Sequence, residues 1–133
     1  QVYAASVDMW SCGCILGELA TGRALFPGDS EIGTILKIFE LCGTPTDATW
    51  PKFSSLPFAQ GYDGVMKRFP KWTDHLVLIL QRAPQLGQEG SALLKELLVP
   101  CPDQRLLARR AANHGFFRAL NPAEYDAAHF FPA

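Results

Sequence analysis

Between Val7 and Thr21 apolar residues fall on most sides of a helix (Val7, Trp10, Cys14, Ile15, Leu16, Leu19). A segment of this kind is made for burial and needs other elements packed around it. Ser6 is placed to cap it, Asp8 stands in its first turn at the positive end of the helix dipole, and Gly22 is placed to end it. Gly13 and Gly17 lie four apart, hence on one face, and each costs about 1 kcal/mol relative to Ala inside a helix. The offsetting gain is another backbone packed close against that face.

The rest of the chain keeps the same periodicity. Phe26-Pro27-Gly28 is a turn, after which Asp29 or Ser30 caps a second helix. Ile32, Ile35, Leu36, Phe39 and Cys42 form its apolar stripe, and Gly43 and Pro45 end it. Thr44-Pro45-Thr46-Asp47 predicts one more short helical turn before Trp50-Pro51. Residues 51–72 are rich in Pro, Gly, Ser and aromatics and are expected to be irregular. Further helices are predicted over 73–83, with Asp74 in the first turn, over 91–99, and over 106–113. No alternating strand pattern and no repeat occur, so the expected fold class is all-α.

Composition bounds the functions. The 133 residues are 48% hydrophobic and 19% charged, which is globular. A net charge of −1 draws the chain neither to nucleic acid nor to an acidic membrane. The longest apolar run, Leu76-Val77-Leu78-Ile79-Leu80, is far too short for a membrane span. The chain does not open with Met, which reads as a fragment or a processed product.

The candidate reactive groups have plain readings. Cys12 and Cys14 point about 200° apart on a helix, which is wrong for a shared metal. The four cysteines (Cys12, Cys14, Cys42, Cys101) are read as reduced core thiols. Cys101 and His114 would make a nucleophile–base pair only if the fold joined them. Asp29 and Glu31 at a helix start act as cap and dipole partners rather than cation ligands. Arg109 and Arg110 make a solvated face, and His75, His114 and His129 share no pattern. Gly87-Gln88-Glu89-Gly90 lacks the glycine count and the preceding strand of a phosphate loop.

Several separated motifs nevertheless occur in one order. They are Val7-Asp8-Met9-Trp10-Ser11-Cys12-Gly13, Leu25-Phe26-Pro27-Gly28-Asp29-Ser30-Glu31-Ile32, Gly43-Thr44-Pro45, Phe69-Pro70-Lys71-Trp72, Pro102-x-x-Arg105, Ala108-x-x-Ala111 and His114-x-Phe116-Phe117. Together they resemble the C-terminal part of the large lobe of a cyclin-dependent serine/threonine protein kinase. The resemblance implies that residues 1–117 are a helical piece of a two-lobed α+β parent and that 118–133 are a tail. It implies a parent that moves the γ-phosphoryl of ATP to a protein hydroxyl with Mg²⁺.

The glycine-rich loop, the strand lysine and its helix glutamate, the catalytic-loop Asp and Asn, Asp-Phe-Gly and Ala-Pro-Glu are not in this sequence. No residue here is therefore assigned a catalytic, cofactor-binding or metal-binding role. The resemblance leaves supporting roles. Asp8 would bond the backbone of the catalytic loop, Trp10 would pack beneath the activation segment, and Arg105 would pair with the Glu of Ala-Pro-Glu. In a chain folding alone, Arg105 would need water or another acid. Asp29, Ser30, Glu31 and Ile32 match a surface that docks a small Cks-type adaptor in some members, although the stretch from Gln60 to Arg68 is extra. A cyclin and protein substrates are the implied partners, and cytoplasm or nucleus the implied compartment. The alternative is a non-catalytic kinase lobe acting as a binding module.

The pattern is also broken in places. Cys101 stands for the usual Asp, Leu107 for the usual Ser/Thr cap, Ala112 for Leu and Gly115 for Pro.

Overall fold

Helix α1, Val2–Thr21, opens the computed structural model, which describes residues 2–61 and 70–119, with side chains from Ala5 onward. The helix starts earlier than a Ser6 cap predicts. Ser6 lies inside α1 and is buried, and Asp8 falls beyond the first turn, so neither fills the capping or dipole role expected of it. Gly22, at φ 68°, ends the helix, and its N–H donates to the Glu18 carbonyl at 2.8 Å.

The expectation that α1 is covered on most sides is corrected. Met9, Gly13 and Gly17 line a buried face, but Val7, Ile15 and Leu19 are 58%, 58% and 79% exposed. The described elements cover α1 from one side only. On that side its glycines permit close approach. A Cβ on Gly13 would stand 2.9 Å from Leu97 Cβ, and one on Gly17 only 2.6 Å from Leu25 Cδ1. The first contact is with a neighbouring helix, as expected; the second is with a side chain.

Helix α2, Glu31–Cys42, has the predicted stripe, and Ser30 rather than Asp29 caps it by accepting from the Gly33 N–H at 3.0 Å. The Trp50 N–H then donates to the Thr46 carbonyl at 2.7 Å, closing a single turn. The segment expected to be irregular is partly helical, with a 3₁₀ turn at Phe53–Ser55 and helix α3 at Pro57–Gly61. Its aromatic residues supply the reason: Phe53 is buried edge-on against Phe39 of α2, with ring centroids 6.4 Å apart. Phe69, residues 62–68 of the extra stretch, and the tail from 120 with His129 lie outside the described residues.

The chain returns to α2 along Pro70–His75. The Thr44 N–H donates to the Trp72 carbonyl at 3.0 Å, and the Trp72 N–H donates to the Thr44 hydroxyl at 3.0 Å. The His75 N–H donates to the Leu41 carbonyl at 2.9 Å, beside an antiparallel bridge between Cys42 and Asp74. This pairing keeps 73–75 out of the predicted helix. Helix α4 therefore starts at Leu76 and runs Leu76–Arg82, its first N–H donating to Asp74 Oδ1 at 2.7 Å.

A 3₁₀ turn, Pro84–Leu86, leads directly into helix α5, Gly87–Leu97, which thus begins four residues before the predicted Ser91. The expected last helix contracts to α6, Ala108–Ala112; Leu107 at its start offers no side-chain cap. The His114 ring accepts from the Phe116 N–H at 3.1 Å and opens a final 3₁₀ turn, Gly115–Phe117.

The described residues form no strand, in keeping with the all-α expectation. Their core has three parts. Leu25, Leu76, Leu86, Leu94 and Leu98 join α1, α4 and α5. Met9, Leu93, Leu97 and Ala111 join α1, α5 and α6. Phe39, Phe53 and Ala59 hold the 50s segment on α2. No helix among the described residues is long and apolar enough to cross a membrane.

Candidate functional site

Of the three residues to which the resemblance gives supporting roles, two, Trp10 and Arg105, come together 95 positions apart in sequence, where α1 meets the turn after α5. Arg105 is 8% exposed. Its Nε–H donates to the Val99 carbonyl at 2.8 Å and its Nη2–H to the Pro100 carbonyl at 2.9 Å, while Nη1 donates to the Ser6 carbonyl in α1. The guanidinium carbon lies 5.0 Å from the centroid of the Trp10 ring. Trp10 is in turn stacked on Phe26, with centroids 5.6 Å apart and planes 12° from parallel.

The expected water or acid is thus replaced by three carbonyl oxygens and an aromatic face. Pro102 opens a 3₁₀ turn, Pro102–Gln104, and Val99 and Pro100 just ahead of it supply two of those carbonyls. Burial holds the Arg105 proton affinity below its usual range, but a guanidinium stays charged throughout the ordinary pH range. Five N–H groups belong to this side chain. Among the described residues three find acceptors, leaving one on each terminal nitrogen for a further acceptor.

Arg105 and Trp10 border an apolar groove of about 350 Å³, with Val7, Ile35, Phe39, Phe53 and Phe58 among its walls. A groove with greasy walls and one forked cation is suited to a chain segment that brings a carboxylate among apolar side chains. Asp8 is not part of this assembly. It is exposed on α1, and its side chain makes no hydrogen bond or ion pair with another described residue.

The four residues matched to adaptor docking sit together at the start of α2. Ser30 is the cap, Asp29 and Glu31 are exposed, and Ile32 is half-buried. The cysteines differ in their surroundings. Cys101 is buried, whereas Cys12 is exposed, which corrects its reading as a core thiol. Burial, with the Asp74 charge nearby, pushes the Cys42 thiol up to about 12, and burial also raises Cys14. These are poor nucleophiles at neutral pH. His114 is occupied by the Phe116 N–H and faces Glu96 at 3.9 Å. Among the described residues no three His, Cys, Asp or Glu side chains converge to hold a metal ion.

Sequence reasoning missed Phe26 as the partner of Trp10, and it missed the groove. The aromatic density of residues 50–58 was the available signal; its meaning depended on the 3₁₀ turn that seats Phe53.

A profile described as Protein kinase domain matches residues 1–117. The chain is 41% identical over 124 residues to Cyclin-dependent kinase G1 of Arabidopsis thaliana, an alignment covering 89% of this chain. The chain spans only 19% of the length of that relative.

Proposed function

Because the chain belongs to the protein kinase family, we propose that it forms the floor beneath the reactive centre of a cyclin-dependent-like serine/threonine kinase. The parent enzyme moves the ATP γ-phosphoryl to a protein Ser or Thr hydroxyl. ATP and Mg²⁺ do not fit this piece: its sequence has no phosphate loop and its described residues offer no converging acidic set, so in this reading their binding belongs to other parts of the enzyme.

The observation that carries this reading is the Trp10–Arg105 assembly beneath an apolar groove. Its two unused N–H groups suit the Glu of an Ala-Pro-Glu segment, and its walls suit the apolar neighbours of that Glu. The exposed apolar side of α1 suits further helices of the same lobe. Asp8, exposed near the same end of α1, is free to take the backbone of a catalytic loop. In this reading a cyclin and protein substrates bind the whole enzyme. A Cks-type adaptor docks at Asp29, Ser30, Glu31 and Ile32, and the enzyme works in cytoplasm or nucleus.

The test is phosphoryl transfer by the full chain, with its cyclin, to a Ser/Thr peptide under Mg²⁺ and ATP. Transfer is expected, and Arg105→Lys should lower kcat at least tenfold while leaving the KM for ATP within about twofold, since the change acts on the activation segment. A folded full chain that binds no nucleotide and transfers no phosphoryl group would overturn the reading and leave a non-catalytic binding module.

A further inference from the structure

We propose that the cleft between the end of α1 and helices α2 and α4 is a docking site for an acidic peptide carrying an apolar anchor. The inference stands apart from the kinase reading. The cleft has a volume of about 700 Å³, and Leu25, Leu41, Leu78 and Ile79 supply its apolar lining. Its charged lining is one-sided: Arg23, Lys37 and Arg82 against the single carboxylate of Glu40. That carboxylate is already taken by Lys37 at 3.0 Å. Neither Arg23 nor Arg82 makes an ion pair with a described residue, and both are exposed. A positive local surplus in a chain of net charge −1 is a specific feature of this surface, not a reflection of the whole.

The other polar groups of the cleft are already committed. His75 holds the Glu40 carbonyl through Nδ1 at 3.2 Å and meets the Thr73 hydroxyl through Nε2 at 3.3 Å. The Thr21 hydroxyl donates to the Gly17 carbonyl at 2.8 Å. What the cleft still offers is two forked cations, Arg23 and Arg82, in the same lining as its apolar residues, with Leu78 48% exposed. Guanidinium groups pair bidentately with carboxylates, and an exposed leucine beside them gains from covering an apolar side chain. The complementary ligand combines several carboxylates with one or two leucine-like residues. None of Asp29, Ser30, Glu31 and Ile32 lines this cleft, so it is separate from the surface assigned to an adaptor.

Fluorescence anisotropy on the full chain tests this with a labelled peptide of sequence Glu-Asp-Leu-Leu-Asp-Glu and its neutral analogue Gln-Asn-Leu-Leu-Asn-Gln. The acidic peptide should bind at least tenfold more tightly. Arg23→Glu combined with Arg82→Glu should erase that preference without moving the melting temperature, because both side chains are exposed. Leu78→Ser should weaken both peptides. Equal affinity for the two peptides, or acidic-peptide binding indifferent to the double charge reversal, would overturn the proposal. So would a preference for phosphatidylserine vesicles over the acidic peptide.

Discussion

At the scale of single residues, Arg105 shows how a buried cation is satisfied without a carboxylate. Its fork reaches three backbone carbonyls at once and lies against Trp10. Lysine is a point charge on a flexible stem and cannot span the same three acceptors. Arg105→Lys should therefore cost about 2–3 kcal/mol of stability. The check is a lower urea midpoint for the full chain with an unchanged slope. The importance of Arg105 was legible in Pro102-x-x-Arg105, but its partners were not, because a carbonyl oxygen carries no residue identity. Cys12 was misread for a related reason. Composition classes it with buried residues, and only the side from which α1 is covered decides that it faces outward.

Among the elements, the decisive contact is α1 on α5. An added methyl on Gly13 would meet Leu97 Cβ at 2.9 Å and Leu98 Cδ2 at 3.0 Å, both in a packed core. Gly13→Ala gains about 1 kcal/mol of helix propensity but forces overpacking that costs roughly 1–3 kcal/mol. The expected result is a net loss of about 1 kcal/mol, read as a lower melting temperature of the full chain. An unchanged or raised melting temperature would show that the two helices can slide apart freely. The existence of five of the helices was legible in the sequence, and Gly13 and Gly17 pointed to the close approach. Their starting points were less legible. α5 begins early because a 3₁₀ turn feeds it, and α4 begins late because Thr73–His75 pairs with the end of α2. The first is a decision of the adjoining turn and the second of tertiary contact.

For the molecule as a whole, the side of α1 that carries Val7, Ile15 and Leu19 sets its behaviour in water. The 133-residue chain on its own should bind a hydrophobic dye such as ANS and melt over a broad range. The full chain should do neither. Ile15→Glu with Leu19→Lys should reduce dye binding by the short chain while its helical circular dichroism persists. Sharp melting of the short chain without dye binding would contradict this account. The helical class followed from sequence; the expectation that α1 is covered on most sides did not hold for the side of Val7, Ile15 and Leu19, because residues encode that they prefer cover without encoding whether it is present.

One connection has a consequence for descent as well as for folding. The pairing of Thr44 with Trp72, and of Leu41 with His75, fastens together the two stems of the stretch between them. Phe53 and Ala59 then anchor the first part of that stretch on α2. With those stems paired, lengthening the loop they close twofold adds only about 0.6 kcal/mol of entropic cost. Lineages of this domain can thus gain or shed several residues there, trying out new outer surfaces while the helical foundation is inherited intact.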